Sequence, residues 1–218
     1  MPEFDFNRIL ICLVPAMAGI ILHEVAHGYV AYANGDPTAK MAGRLTLNPI
    51  SHIDPVGLLV FVLTSLSGAF VFGWAKPVPV QPAYFRRPSV GLMWTALAGP
   101  LTNFLLAIFF ALLLWVLTLD TFIPFWRDHQ ELWPILQSCK IGVYINLGLA
   151  WLNLLPIPPL DGSKVLNYFL PPAISRQYLA LERWGLVILL ILIMTHILSK
   201  ILNPLVIGCG DMLLGFLS

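Results

Sequence analysis

The chain has 218 residues, of which 58% are hydrophobic and only 11% are charged, and its mean hydropathy is +0.83. About a quarter of the residues in a soluble domain are charged, so this composition excludes an ordinary soluble protein and indicates an integral membrane protein in a lipid bilayer. The formal net charge is +1, without a basic or acidic block, so nothing points to nucleic acid as a partner.

The first apolar run, residues 9 to 31, is long enough for a membrane-spanning helix and contains His23, Glu24 and His27. On a helix the two histidines lie one turn apart on the same face, so both imidazoles can bind one metal ion. In zinc proteases with this His-Glu-x-x-His spacing, the metal acidifies a water and the glutamate transfers its proton. The pattern predicts metal ligands at His23 and His27 and a general base at Glu24; the alternative is a polar patch that hydrogen-bonds between packed helices.

A polar region follows the turn signal at residues 34–37. Leu45, Thr46 and Leu47 alternate in polarity, which predicts a short interfacial strand. The next apolar run, residues 56 to 72, carries no charge, and basic residues flank it on both sides. If both flanks are cytoplasmic under the positive-inside rule, this run is a re-entrant segment and does not cross the membrane.

Residues 73 to 82 contain alternating prolines, which cannot donate main-chain hydrogen bonds. We expect an extended edge or a connector here. An extended substrate could add to such an edge as a strand, and a stiff linker explains the prolines equally well. His52 and Asp54, in the preceding loop, are expected to cap or order that loop.

The later apolar runs predict spans at about 91–118, 135–155 and 184–200, and a marginal last span at 201–217 that Pro204 interrupts. The expected fold class is therefore an all-α membrane protein, a polytopic helix bundle with about four to six membrane segments. We expect a single domain over residues 1–218, with a catalytic core at about 9–170 and C-terminal membrane segments at about 180–217.

Asp161 is the candidate third metal ligand, because it follows a span that prolines end and precedes Gly162, which permits a tight turn. Two histidines and one carboxylate leave a fourth zinc position for water, as in catalytic sites. The alternative is that Asp161 N-caps a helix over residues 163–169.

Three motifs follow one another on three successive major spans: His23 to His27, Ala98-Gly99-Pro100 with Asn103, and Asn153 through Asp161-Gly162. In this order they resemble the site-2 protease family of intramembrane zinc metalloproteases. Residues 47–55 and 73–80 resemble the small bacterial and archaeal branch, which has neither a PDZ-like insertion nor a CBS module.

The resemblance implies one Zn²⁺ held by His23, His27 and Asp161, with Glu24 as general base and a transmembrane protein as substrate. It also implies a multi-pass protein of the cell membrane with its site nearer the cytoplasmic face. The charge bias agrees, since eight of the twelve basic residues fall on that side: Lys40, Arg44, Lys76, Arg86, Arg87, Lys164, Arg176 and Arg183.

Asn153 and Asn103 are candidate donors to the oxyanion of the tetrahedral intermediate, although Asn103 could instead serve helix packing. A different class of function remains open: the same ionisable residues could form the transit site of a metal-ion transporter. Transport favours further ligands towards the outer side, where His196 is the other candidate within the spans.

Overall fold

The computed structural model describes residues 6–57, 59 and 76–216. Within these residues the α-helices are α1 (Phe6–Ala33), α2 (Thr38–Met41), α3 (Pro88–Leu117), α4 (Ile123–Asp128), α5 (Trp133–Leu154), α6 (Asp161–Phe169), α7 (Pro172–Leu179), α8 (Gly185–Met194) and α9 (Ile197–Phe216). Short 3-10 turns occupy Pro49–His52, Pro82–Tyr84, Asp120–Phe122, Gln130–Leu132 and Ala180–Trp184.

Among the described residues, five helical stretches are long and apolar enough to cross a membrane. They are Ile11–Ala33, Pro88–Leu117, Gln130–Leu154, Pro172–Met194 and Ile197–Phe216. This confirms an all-α, polytopic membrane bundle with four to six segments. The division of the chain into a catalytic core and C-terminal segments stays a prediction.

Helices α1, α3 and α5 form the centre of the bundle, and each packs against the other two. Small residues allow the close approach that membrane helices need. A Cβ at Gly142, for example, would lie 2.8 Å from the ring of Phe110. The core cluster between α3 and α5 consists of Ala107, Phe110, Ala111, Cys139, Val143 and Leu147.

The predicted strand at residues 45–47 is wrong, because the chain bends there. The polar groups that a strand would use are bonded locally: His52 Nε2 donates to the Thr46 carbonyl at 2.8 Å, and the Asn48 N–H donates to the Thr46 hydroxyl at 3.2 Å. Within residues 6–57 and 76–216, no β-strand occurs. The interfacial loop is therefore ordered by side-chain hydrogen bonds.

The predicted boundary between the last two spans is also wrong. The helices separate at Thr195 and His196, where His196 adopts a positive φ of 57°. Helix α9 then continues through Pro204. Local turn geometry thus ends α8 several residues before the expected position.

The predicted re-entrant segment, residues 56–72, lies largely outside the described residues. Its flanks, however, are described and lie together. The Lys76 N–H donates to the His52 carbonyl at 2.9 Å, and the Arg86 N–H donates to the Asn34 carbonyl at 3.1 Å. The loop after α1 and the approach to α3 therefore meet at one end of the bundle.

Candidate metal centre

Helix α1 carries the histidines and the glutamate of the motif on one continuous stretch from Phe6 to Ala33. His23 and His27 are both buried, and they project from the same face because helical residues four apart lie one above the other. Their ring centroids are 4.5 Å apart, with nearly perpendicular planes. The helix thus brings two imidazoles to one point in the bundle interior.

Asp161 is the first residue of α6, and its carboxylate lies against both imidazoles. Its Oδ2 is 3.1 Å from His23 Nε2 and 3.2 Å from His27 Nε2. The following Gly162 permits the close approach of α6 to the end of α5, since a Cβ there would lie 2.2 Å from the Leu154 carbonyl oxygen. The carboxylate therefore faces the histidines, and the N-cap alternative is not what the structure shows.

Asp161 is an anion at neutral pH. Burial raises the pKa of its carboxyl, but the contacts with His23 and His27 lower it more, and the Lys164 ammonium 3.5 Å from Oδ1 adds to that effect. The resulting pKa lies below the ordinary range for aspartate. The site thus contains a fixed negative charge suited to a cation.

A chain of side-chain amides sets the tautomer of His23. The Asn103 amide nitrogen donates to the Gly19 carbonyl and to Asn146 Oδ1, both at 3.1 Å. Its oxygen must therefore face His23 Nδ1, 2.6 Å away, so Nδ1 carries the proton. Asn146 donates in turn to the Gly142 carbonyl at 2.9 Å. Helices α1, α3 and α5 thus cooperate to leave the Nε2 lone pair of His23 directed at Asp161.

His27 is fixed in the same tautomer by the main chain. Its Nδ1 lies 2.6 Å from the Thr95 carbonyl oxygen, which can only accept, so Nδ1 is again the donor. Gly99, one turn further along α3, provides the surface on which both rings pack. A Cβ at Gly99 would lie 2.5 Å from His23 Nε2 and 2.6 Å from His27 Nε2.

The three converging atoms, His23 Nε2, His27 Nε2 and Asp161 Oδ2, lie within 4.8 Å of one another. With both Nδ1 atoms protonated, the Nε2 atoms face the carboxylate, and either a proton or a metal cation between them stabilises this arrangement. Donors ~2.0–2.1 Å from a tetrahedral zinc are ~3.3 Å apart, close to the two observed nitrogen–oxygen separations. The residues present therefore fit a zinc ion.

Glu24 lies roughly 100° around α1 from His23, as expected for consecutive helical residues. Its Oε2 accepts a hydrogen bond of 2.8 Å from the Val78 N–H. The carboxylate lines the same cavity as the histidines, with a volume of about 360 Å³. The other polar residues along this cavity are Thr95, Asn153, Asp161 and Lys164. The potential metal donors and the Glu24 carboxylate therefore share one cleft.

The two candidate oxyanion donors lie in different places. Asn153 lines the cavity, and its amide nitrogen donates to the Leu149 carbonyl at 3.0 Å. Asn103 is fully buried behind His23, with its amide committed to the hydrogen bonds described above. Its geometry favours a role in helix packing and in orienting a ligand over direct contact with substrate.

Sequence reasoning did not find Asn146, the Val78 main chain or Lys164. Asn146 offered one signal, since it is an amide within an apolar span and must find a partner there. Val78 offered none, because its contribution is a backbone N–H. His52 and Asp54 do order their loop as expected: His52 donates to Thr46, and Asp54 Oδ1 accepts from the Gly57 N–H at 2.8 Å.

Comparison with known proteins gives consistent matches. The sequence model of the family described as peptidase family M50 matches residues 122–196 of this chain, a range that includes Asp161. YwhC of Bacillus subtilis, whose name describes it as an inferred zinc metalloprotease, is 34% identical over 209 residues, covering 94% of this chain and 90% of the relative. The chain belongs to peptidase family M50. This family comprises the site-2 proteases, so the resemblance found in the motifs is confirmed.

Other M50 relatives carry the same description. MJ0611 of Methanocaldococcus jannaschii is 32% identical over 167 residues, covering 77% of this chain and 74% of the relative. Rip2 of Mycolicibacterium smegmatis is 31% identical over 188 residues, covering 84% and 66%. No solved structure is a significant match. The chain is thus a membrane metalloprotease of the M50 family, and zinc is the metal in its relatives' names.

Proposed function

We propose that this M50 chain is an intramembrane endopeptidase that hydrolyses peptide bonds of membrane-spanning protein substrates. One zinc ion would be held by His23, His27 and Asp161, with Glu24 as general base. The observation that carries the proposal is the convergence of three potential metal-donor atoms within 4.8 Å in a cleft that also contains the Glu24 carboxylate. The two histidines project from α1, which is long and apolar enough to cross a bilayer, and Asp161 begins the short helix α6 beside it.

When bound, zinc supplies Lewis-acid polarisation of the scissile carbonyl and lowers the pKa of a coordinated water. The protein's own residues do the rest. Asn103 and the Thr95 carbonyl keep the imidazoles in the ligand tautomer. Glu24 accepts a proton from the attacking water and passes it to the leaving amine. Asn153, at the cleft wall, has a second amide hydrogen available for the developing oxyanion.

A substrate helix must unwind locally before cleavage, since a helical peptide bond keeps its carbonyl within the hydrogen-bond ladder. The cleft lies beside the extended segment of residues 76–81, which forms one wall. Most donors of this segment are bonded within the protein: Lys76, Val78 and Gln81 donate to His52, Glu24 and Asp36. If a substrate adds to this edge as a strand, the Val78 N–H must therefore release the Glu24 carboxylate and donate to a substrate carbonyl instead.

We further propose that the site is nearer the cytoplasmic face of the cell membrane. The support is that Lys40, Arg44, Lys76 and Arg86 all belong to the loops that meet beside α1 and α3. Single cysteines placed at positions 40 and 86 in intact cells should both resist a membrane-impermeant maleimide added outside. Labelling of either position from outside would contradict this orientation.

The test of the reaction uses purified protein in liposomes with a transmembrane reporter peptide. Glu24→Gln should retain one zinc per chain and cleave roughly 10²–10⁴-fold more slowly, the usual contribution of a general acid–base group. Glu131→Gln, at an exposed carboxylate, is the matched control and should cleave like the wild type. Full activity of Glu24→Gln would refute the role of the base. Zinc flux through wild-type liposomes without any cleavage would instead establish the transporter.

A further inference from the structure

The extended segment of residues 76–81, which we call the wall segment, is fixed at both ends by groups outside the metal site. At its start, Lys76 donates to the His52 carbonyl at 2.9 Å and accepts from Arg44 Nη2 at 2.5 Å. At its end, the Gln81 N–H donates to Asp36 Oδ2 at 2.6 Å. Among the residues that the structure describes, no β-strand pairs with this segment, and these individual hydrogen bonds hold it.

Asp36 is a buried carboxylate that the reaction does not use. Besides Gln81, it accepts from the Thr38 N–H at 2.9 Å and from the Thr38 hydroxyl. Burial raises the pKa of Asp36, but the donors at Gln81 and Thr38 outweigh it, and the pKa lies below its ordinary value. The wall segment is thus anchored by a charge-assisted hydrogen bond, which is stronger than a neutral one.

The middle of the wall segment holds Glu24 in place. Val78 lies between two prolines, which have no N–H, and its own N–H donates to Glu24 Oε2 at 2.8 Å. The Val78 side chain is buried against α1, where a Cβ at Gly28 would lie 3.1 Å from it. The Val78 N–H is thus the group through which the wall segment binds the Glu24 carboxylate.

The link between the two carboxylates is short and stiff. Only Pro79 and Val80 separate Val78 from Gln81, and the ring of Pro79 fixes one of the few free dihedral angles. Because only two residues separate them, a displacement at Gln81 is expected to move Val78 as well. Helix α1 and the turn that follows it thus contact the wall segment twice, through Glu24 and through Asp36.

We propose that Asp36 is a positioning residue that acts through the wall segment to orient the Glu24 carboxylate in the cleft. This inference rests on the proposed function only in giving Glu24 the role of base. Loss of the Asp36 anchor frees Gln81, loosens Val78 and leaves the direction of the Glu24 carboxylate undefined. The two histidine ligands are held by Asn103 and the Thr95 carbonyl of α3 and stay in place.

The experiment measures amide hydrogen exchange in valine-labelled protein in detergent micelles, with Val116 and Val143 in α3 and α5 as internal references. In Asp36→Asn, exchange at Val78 should accelerate roughly tenfold or more, as expected for loss of a charge-assisted hydrogen bond, while the references are unchanged. The value of kcat should fall by a similar factor, with zinc affinity unaltered. Thr38→Val removes one hydroxyl donor to Asp36 and should accelerate exchange at Val78 by a smaller factor. This variant still tests the inference if Asp36→Asn does not fold.

Asp54→Asn is the matched control, since the hydrogen bond that Asp54 accepts comes from Gly57 in the neighbouring loop. It should leave Val78 exchange and kcat at wild-type values. Unchanged Val78 exchange in both Asp36→Asn and Thr38→Val overturns the inference, as does equal acceleration at Val116 and Val143, which would mean general destabilisation. If the wild type cleaves no transmembrane peptide but exchange at Val78 accelerates in Asp36→Asn, the proposed function is wrong. The link from Asp36 to Val78 is then still supported.

Discussion

His23 and Glu24 are neighbours in sequence, yet the two sides of α1 from which they project are held by different kinds of structure. His23 faces transmembrane helices, where Asn103 of α3 and Asn146 of α5 form a hydrogen-bonded network behind it. Glu24 faces a non-helical segment and is held by one main-chain N–H from Val78. The orientation of His23 thus depends on the packed bundle, whereas the orientation of the Glu24 carboxylate depends on the wall segment.

This difference means that the two functions can be separated by mutation. Changes behind the histidines should reduce zinc affinity first, because the ligands lose their orientation. Changes near the wall segment should reduce turnover while zinc stays bound. The following substitutions test that separation, in order of decreasing expected effect.

The largest effect is expected from Gly99→Val. Even the first side-chain carbon at this position would lie 2.5 Å from His23 Nε2, so the imidazoles must move away from their common point. We expect zinc affinity to fall by about 100-fold or more, the upper range for disturbed ligand orientation, and cleavage to be lost. Isothermal titration with zinc measures this directly.

Gly148→Ala is the control for Gly99→Val, because a Cβ at Gly148 in α5 meets nothing within 4 Å. This variant should bind zinc and cleave like the wild type. Wild-type zinc affinity in Gly99→Val would show that the ligands are not packed against α3 as described.

An intermediate effect is expected from Asn146→Leu, which removes the acceptor for the Asn103 amide. Asn103 can then turn its nitrogen towards His23, which would favour the wrong imidazole tautomer for binding metal. We expect zinc affinity to fall roughly tenfold and the free energy of unfolding to fall by about 1–3 kcal/mol, the cost of an unsatisfied buried amide. Nitrogen-15 shifts of the His23 imidazole report the tautomer, and an unchanged Nδ1–H signal would contradict the network.

The spacing of His23 and His27 was enough to predict a shared helical face, and the proline-ended span before Asp161 was enough to suggest the third ligand. Those inferences rest on local geometry. The contact of Gly99 with both imidazoles and the bond from Val78 to Glu24 could not be predicted, because they join parts of the chain that no local pattern relates. The strand expected at residues 45–47 does not form, because polar groups of the same loop are hydrogen-bonded to one another through side chains.

The smallest effect is expected from Lys164→Met. The Lys164 ammonium is 3.5 Å from Asp161 Oδ1 but is more than a third exposed, so water screens much of its interaction. We expect zinc to stay bound and kcat/KM to change by no more than about fivefold, as for other partly exposed ion pairs. Loss of zinc from this variant would show that zinc binding depends on the lysine holding Asp161 in position.

The central claim is that one metal ion joins the start of α6 to the middle of α1, with Glu24 beside it. Anomalous diffraction at the zinc edge from crystals of Glu24→Gln tests it most directly. We expect a single peak ~2.0–2.2 Å from His23 Nε2, His27 Nε2 and Asp161 Oδ2. A zinc peak elsewhere, or a zinc ion bound by the histidines with Asp161 turned away, would contradict the account.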